Sequence, residues 1–478
     1  MASEEGITVS KAENLSEWYT QAVIKSGLAD YAPVSGTIVY KPLSYGIWEQ
    51  IQSFFDALIK SSGHKNVYFP MLIPENLLTK EAKHIEGFTP EVAWVTQGGS
   101  TPFAERLAIR PTSETLIMEM YSKWIRSHRD LPLLYNQWCS VVRWEFKHPK
   151  PFLRGREFLW QEGHTAHETY DEAEQEALLI LEYYRRIHEE LLALPVIYGL
   201  KSPNETFAGA HHTYTIEAWM PDGKALQMCT THHMAENFSR PFDITFTDRE
   251  GETRYAHTSS WGISTRTIGG VILTHGDDRG LVLPPRIAPT QVVIVPIYKD
   301  DSKAAVMEAA LALKQSLSQS NRVELDAREY LSPGRKFNEH ELKGTPLRIE
   351  IGPKDLEARS ATLVRRDSLD KKQVGLDEVA DAVGFTLDDI HASLFEKAKS
   401  MRDARIVDCS DLPSFAQAIS EGKVVRAPWK VSSENEEKLE EETGASCRVI
   451  PQDQPLEKGV CVVSGVKADA IAYFSRSY

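Results

Sequence analysis

Thr112, Ser113 and Glu114 stand side by side in RPTSETLIMEM (110–120). Two hydroxyls before a carboxylate suit a helix cap. They also present a hydroxyl and an acid to a small cationic ligand such as an amine. In QWCSVVRWEFKHPKPFLRGREFLWQEGHTAH (137–167), an apolar strand carries Arg143 and Glu145, two apart and so on one face. After a proline-containing loop, a second strand carries Arg154 and the alternating set Trp160, Glu162 and His164. An unpaired arginine on an apolar strand is expensive to bury. Its planar fork suits phosphate or carboxylate, so the pattern points to an anionic ligand or to an internal Arg–Glu pair. In ALQMCTTHHMAENF (225–238), Gln227, Thr230 and His232 are the polar positions of a strand-like stretch. In HTSSWGISTRTIGG (257–270), Ser264 and Arg266 lie where a strand gives way to an apolar helix, and Gly262 permits close approach of a ligand. That arrangement suits a phosphate or nucleobase. The segment holds no GxxxxGK[ST] loop, which excludes a P-loop enzyme. The pairs His164/His167, His211/His212 and His232/His233 have no HExxH or CxxC around them, so no catalytic metal is expected on them.

These residues need a scaffold. GIWEQIQSFFDALIKSSG (46–63) predicts a helix, with Ile47, Ile51, Phe54, Phe55, Leu58 and Ile59 on one stripe and Gly63 as its C-cap. VYFPMLIPENLL reads as a strand broken by Pro70 and Pro74. LPPRIAPTQ (283–291) reads as a linker between domains. Beyond it VVIVPI (292–297), a helical stretch (303–319) and LRIEIGP (347–353) alternate as a compact α/β domain with a mainly parallel sheet. A helix over 386–405 leads to a last segment in which ENEEKLEEE (434–442) reads as a solvated helix face.

Composition bounds the class. The 478 residues are 42% hydrophobic and 26% charged, an ordinary globular balance. There is no run long and apolar enough for a membrane span, and the polar, acidic N-terminus does not read as a secretory leader. Five scattered cysteines fit a reducing cytoplasm. A net charge of −14 argues against nonspecific DNA or membrane binding, and leaves a local RNA groove open. Of 15 histidines, 13 precede residue 280, so the first part of the chain looks like the chemical one.

Together the segments resemble the class II aminoacyl-tRNA synthetases. Arg143-Trp144-Glu145 resembles motif 2 of that class, GISTR ending in Arg266 resembles motif 3, and the 46–63 helix with the Pro70 strand resembles the dimer-forming motif 1. RPTSE, WQEGHTAH and SSWG are similar to the prolyl-tRNA synthetases, in their archaeal/eukaryotic-like type. The resemblance implies an α+β chain. A class II antiparallel-sheet catalytic domain would span 1–285, an α/β anticodon-binding domain 286–385, and a small α+β zinc-binding-like domain 386–478. It implies a proline–tRNA ligase that uses ATP and Mg²⁺, with L-proline and tRNA(Pro) as partners, acting as a cytoplasmic homodimer. Thr112 and Glu114 would hold the prolyl imino group, with Trp160, Glu162, His164 and His232 as pocket walls. Arg143 would bridge the proline carboxylate and the ATP α-phosphate. Glu145, Arg154, Gln227, Thr230, Ser264 and Arg266 would contact ATP, and Arg143 and Arg266 would carry the catalytic charge. Tyr478 matches the family's C-terminal tyrosine.

Two departures stand out. Bacterial-type relatives carry an editing domain between motifs 2 and 3, but only 123 residues separate Arg143 from Arg266 here, and strands and helices fill them. Many relatives also place four zinc-binding cysteines in the last domain. Here Lys430 follows Trp429, Asn435 stands at the second ligand position, and the later pair is Cys461 and Ser464. One ligand of four remains, so no structural zinc is expected there. The alternatives are another class II synthetase such as the zinc-using threonyl type, an inactive paralogue acting as a tRNA-binding or regulatory module, and a nonspecific RNA binder. The TxE segment disfavours the first. The three retained arginines disfavour the second. The acidic balance disfavours the third.

Overall fold

The computed structural model describes residues 6–84, 91–144 and 149–478, with positions 80–84 by backbone alone. Glu145 lies outside the described residues.

The centre of the molecule is an antiparallel sheet. Its strands are β1 (Leu133–Val142), β2 (Glu157–His167), β3 (Ile197–Leu200), β4 (His212–Trp219), β5 (Ala225–Ala235) and β6 (His257–Ser264). Their spatial order is β3-β4-β5-β6-β2-β1, with every neighbouring pair antiparallel. Helices α1 (Pro42–Ser61), α2 (Glu114–Trp124), α3 (Tyr170–Arg186) and α4 (Arg266–His275) surround it. The apolar stripe of α1 buries Ile47, Ile51, Phe55 and Ile59 in the main core. Phe55 stacks on Tyr184 of α3 and meets Trp261 of β6 edge-on. The helix begins four residues before the expected start because Pro42 sits at its first turn, where a missing N–H costs nothing. Gly63 follows it at φ +93. The next stretch is broken as expected, into short strands at Lys65–Asn66 and Leu72–Pro74.

The second domain has β7 (Val292–Pro296), β8 (Val323–Leu325), β9 (Leu347–Ile351), β10 (Ser360–Arg365) and β11 (Lys371–Gly375), ordered β8-β7-β9-β10-β11. The first three are parallel and the last two antiparallel. Helix α5 (Lys303–Leu317) crosses between β7 and β8, and α6 (Pro333–Leu342) between β8 and β9. The expected linker is packed rather than loose. Val282, Leu283, Ile287 and Ala288 are buried, and Arg322 donates to the carbonyls of Ala288 and Pro285. Arg366 grips Asp277 through both carboxylate oxygens, at 2.6 and 2.8 Å. Helix α7 (Val379–Asp403) starts seven residues earlier than expected and runs unbroken past position 386.

The last segment does not form a separate sheet. Its strands β12 (Ile406–Asp408), β13 (Val424–Trp429), β14 (Ser446–Pro451) and β15 (Ala470–Ser475) join the six catalytic strands, and with the short strand Lys65–Asn66 parallel to β1 at the far edge the sheet has eleven strands among the described residues. The seam is β14 against β3, with Ile450 opposite Leu200 and Pro451 opposite Gly199. A Cβ at Gly199 would lie 2.1 Å from the Ile450 carbonyl oxygen, so only glycine lets the strands approach. The acidic helix α9 (Ser433–Thr443), which follows α8 (Leu412–Ser420), buries Asn435, Glu436 and Leu439, so it is not solvated all round. Ser202 donates to Glu436 at 2.7 Å.

Candidate active site

Twelve of the thirteen site residues named from the sequence line one cavity of about 320 Å³; the exception is Glu145, outside the described residues. The sheet accounts for most of this convergence. Trp160, Glu162 and His164 alternate along β2 and face the same side. On β5, Gln227 and Thr230 are three apart and would face opposite ways in a regular strand. A bulge corrects this, because β4 advances one residue from Ile216 to Glu217 while β5 steps from Cys229 to Gln227. Gln227, Thr230 and His232 therefore all reach the cavity.

Two placements differ from expectation. Strand β1 ends at Val142, so Arg143 lies just beyond it, its backbone N–H donating to the Arg156 carbonyl. Arg154 lies in the loop before β2, not on it, and Lys150 pairs with it there. Prolines 149 and 151 deny that loop the donors a strand ladder needs.

At the floor, Glu162 is saturated. It accepts from Thr112 Oγ1 at 2.9 Å, the Ser113 N–H at 3.0 Å and Gln137 Nε2 at 2.9 Å, and His164 Nε2 lies 3.1 Å away. Burial alone would raise its pKa, but the His164 and Ser113 contacts outweigh burial and hold it at about 2. Ser113 does not cap its own helix; its hydroxyl accepts from Gln137 instead.

Glu114 is the opposite case. It is 3% exposed, and its Oε1 has no hydrogen-bond partner. His164 Nδ1 lies 3.7 Å away. Burial dominates and pushes its pKa up to about 7, with His164 pulling down and Glu162 pushing up. Thr112 has spent its proton on Glu162 and one lone pair on the Glu114 N–H, so one lone pair is left for a donor. A buried carboxylate with a vacant oxygen, beside a hydroxyl with a free lone pair, is a receptor for an N–H cation.

Aromatic rings form much of the wall around this receptor. Phe207 tilts over His232 at 4.6 Å between ring centres, and Thr213 Oγ1 meets His232 Nδ1 at 3.0 Å. Burial, with the nearby His164 and Lys201 charges, lowers the His232 pKa to about 3, so the ring is neutral at pH 7. Trp160 and Trp261 complete the slot. Gly262 lets the backbones close: a Cβ there would lie 3.3 Å from the Gln161 carbonyl oxygen.

Positive charge gathers at the mouth. Arg143 lies against the faces of Trp160 and Phe158, and its Nε donates to the Pro111 carbonyl. Arg266 opens α4 and donates to the Gln227 carbonyl at 3.3 Å. Burial, then repulsion from Arg143 and Arg154, lowers the Arg266 pKa to about 10, which still leaves it charged at pH 7. Cations held close enough to repel one another make a site for a polyanion. Sequence reasoning missed Lys201, Glu205, Phe207 and Thr213, which also line the cavity. They come from the loop after β3 and the start of β4, where no spacing singles them out.

Where relatives would hold zinc in the last domain, hydrogen bonds take over. Asn435 Nδ2 donates to the Lys430 carbonyl at 2.9 Å, Lys430 pairs with Asp469 at 3.0 Å, and the Cys461 thiol associates with Ser464. These residues do not fit a zinc site.

Comparison with known proteins agrees with this geometry. Residues 99–275 match the family "tRNA synthetase class II core domain (G, H, P, S and T)". Residues 291–384 match "Anticodon binding domain", and 412–478 match "Prolyl-tRNA synthetase, C-terminal". The chain is 54% identical over 467 residues to a proline–tRNA ligase of Alkaliphilus oremlandii, covering 97% of this chain and 96% of that protein. It is 51% identical to the proline–tRNA ligase of Acetoanaerobium sticklandii, covering 98% and 97%. A crystal structure of prolyl-tRNA synthetase from Cryptosporidium parvum, complexed with halofuginone and AMPPNP, superposes with a TM-score of 0.95 at 42% identity over 100% of both chains. With a class II core, both accessory domains and near-complete coverage by such relatives, the chain belongs to the prolyl-tRNA synthetase family of class II aminoacyl-tRNA synthetases.

Proposed function

We propose that the cavity activates L-proline with ATP to prolyl-adenylate and transfers the prolyl group to the 3′ end of tRNA(Pro). The observation that carries this reading is the pairing of a vacant buried carboxylate, Glu114, with a triad of arginines at the mouth. One end suits the imino cation of proline and the other suits its carboxylate and the nucleotide phosphates. In the first step a proline carboxylate oxygen attacks the α-phosphorus and pyrophosphate leaves. Glu114 and Thr112 orient the imino group. Arg143 holds the carboxylate against the α-phosphate, and Arg154 takes the outer phosphates. Arg266, Ser264, Gln227 and Thr230 hold the rest of the nucleotide. Glu145 is assigned the same contact on family resemblance alone. Positioning and charge neutralisation supply the rate, and the nucleotide's Mg²⁺ adds to the neutralising charge.

The reading extends to the archaeal/eukaryotic-like type, on the short span between the two motif arginines and the fused last segment. It includes a homodimer formed through α1 and the following strands, where Tyr45, Tyr68, Met71 and Leu72 are exposed. Among the described residues no helix is long and apolar enough to cross a membrane; a cytoplasmic location is part of the proposal.

The test is ATP–pyrophosphate exchange with proline, alanine and threonine. Strong proline-dependent exchange is expected, falling at least ~100-fold in Arg143→Ala, the scale of losing one preorganised donor. Exchange with no amino acid would favour the inactive paralogue, and near-parental exchange in the variant would remove Arg143 from the mechanism. Alanine should be activated measurably, because an apolar slot rejects a smaller ligand by only ~1–3 kcal/mol per methylene. A proline preference above ~10⁴ would contradict that.

A further inference from the structure

Successive residues of a strand face opposite sides, so His232 enters the active-site cavity and His233 points away from it toward α3. There it meets two more histidines. His211 precedes β4 and His212 is its first residue, opposite His233; the His211 N–H donates to the His233 carbonyl at 2.8 Å. Each of the three rings offers a nitrogen, and these nitrogens all lie within 4.8 Å of one another. His211 is exposed, His212 half-buried and His233 fully buried. His233 Nε2 has no hydrogen-bond partner, nor has His212 Nδ1. A wholly buried imidazole with an unused nitrogen is costly unless something binds it.

Glu174 of α3 stands against two of the three rings. Its Oε2 lies 2.8 Å from His233 Nδ1, and its Oε1 lies 3.6 Å from His212 Nδ1. Tyr214 donates to the same carboxylate, and Tyr170 hydrogen-bonds His211 Nδ1 at 3.0 Å. A carboxylate beside coordinating imidazoles fixes their orientation and offsets the charge of a bound cation.

We propose that His211, His212 and His233, supported by Glu174, form a binding site for one divalent transition metal of the zinc class, on the face of the sheet opposite the active site. Three imidazoles with a fourth position left to water is an accepted zinc coordination, and imidazole selects Zn²⁺ and its neighbours over Mg²⁺ or Ca²⁺. Nitrogens about 2.0–2.1 Å from a tetrahedral ion are about 3.3 Å apart, so a pair at the 4.8 Å limit must draw together by about 1.5 Å. The exposed His211 and half-buried His212 have room to do so. The site would clamp α3, β4 and β5 behind the strand that carries His232. It is separate from the cysteine-poor region of the last domain.

The experiment uses tag-free, chelator-stripped full-length protein titrated with Co²⁺, followed by displacement with Zn²⁺. Binding of about one Co²⁺ per chain is expected, with ligand-field bands, no thiolate-to-metal band, and release by Zn²⁺. The surface variants His211→Ala and His212→Ala should weaken binding at least ~100-fold, and Glu174→Gln by ~10–100-fold. Proline-dependent exchange in the two histidine variants should stay within about twofold of the parent. Equal binding by parent and both histidine variants would overturn the proposal. So would a thiolate band, which moves the metal to cysteine, or no saturable binding below ~0.1 mM.

Discussion

Glu114 and Glu162 are both almost fully buried, yet they have opposite chemistry. Glu162 has its donors within the protein and is ionised at any working pH. Oε1 of Glu114 lacks a donor, and burial lifts the pKa of the group to about 7. Below that pH the empty site is increasingly protonated and cannot pair with an imino cation. For proline, kcat/KM should therefore be level above pH 7 and fall up to tenfold per unit below it, since this ratio reports the free enzyme. Glu114→Gln should lower kcat/KM and abolish that limb; an unchanged limb would assign the titration elsewhere. The residue scale is where the sequence was most legible. Trp160, Glu162 and His164 announce themselves by alternation, and Thr112 and Glu114 by adjacency. That Glu162 is an internal fixture while Glu114 stays open depends on Gln137 and Ser113, and spacing does not record that pairing.

At the scale of elements, backbone irregularities set the site as much as regular strands do. The bulge at Met228 restores Gln227 to the cavity face, and nothing in ALQMCTT marks it. Gly163 is a second case. It sits between Glu162 and His164, and a Cβ there would lie 2.2 Å from the Trp261 indole. That indole is 2% exposed and wedged against Phe55 and His64. Gly163→Ala should thus cost ~1–3 kcal/mol by overpacking, read as a lowered urea midpoint, and should raise the KM for proline as the flanking residues shift. Parental stability and KM would show that the indole yields freely. Helix α1 was legible because a helical stripe survives any tertiary context. The start of α7 was not, since nothing in VADAVGF separates a helix beginning at 379 from one beginning at 386.

At the scale of the whole molecule, the last segment is wired into the active site. Arg448 on β14 reaches Glu217 of β4 and Glu205 in the cavity wall, each at 3.4 Å. Lys201, also in that wall, pairs with the same two carboxylates at 3.0 and 3.4 Å. Removing one partner from a buried network strands the rest. Arg448→Ala should cost ~3–5 kcal/mol, seen as an early urea transition, and should lower exchange as well. Adding Glu217→Leu should recover part of the stability. A silent Arg448→Ala would mean that water serves the carboxylates as well as the guanidinium does. The prolines of 283–291 and the alternation of elements after them pointed to a second domain, and the family resemblance implied a third. Their fusion through main-chain pairing at Ile450 and Leu200 could not, because backbone hydrogen bonds carry no residue signature.

That seam bears on how such a chain could be shortened. A fragment ending before β12 would leave β3 as a naked edge, its amides and carbonyls presented in register to any passing strand. Gly199 adds no side chain to guard them. Natural edges are protected by charge, proline or twist, and this one is protected by being covered. The last seventy residues thus act as a built-in chaperone for the catalytic sheet, and cutting them away would yield a sticky template in place of a smaller enzyme.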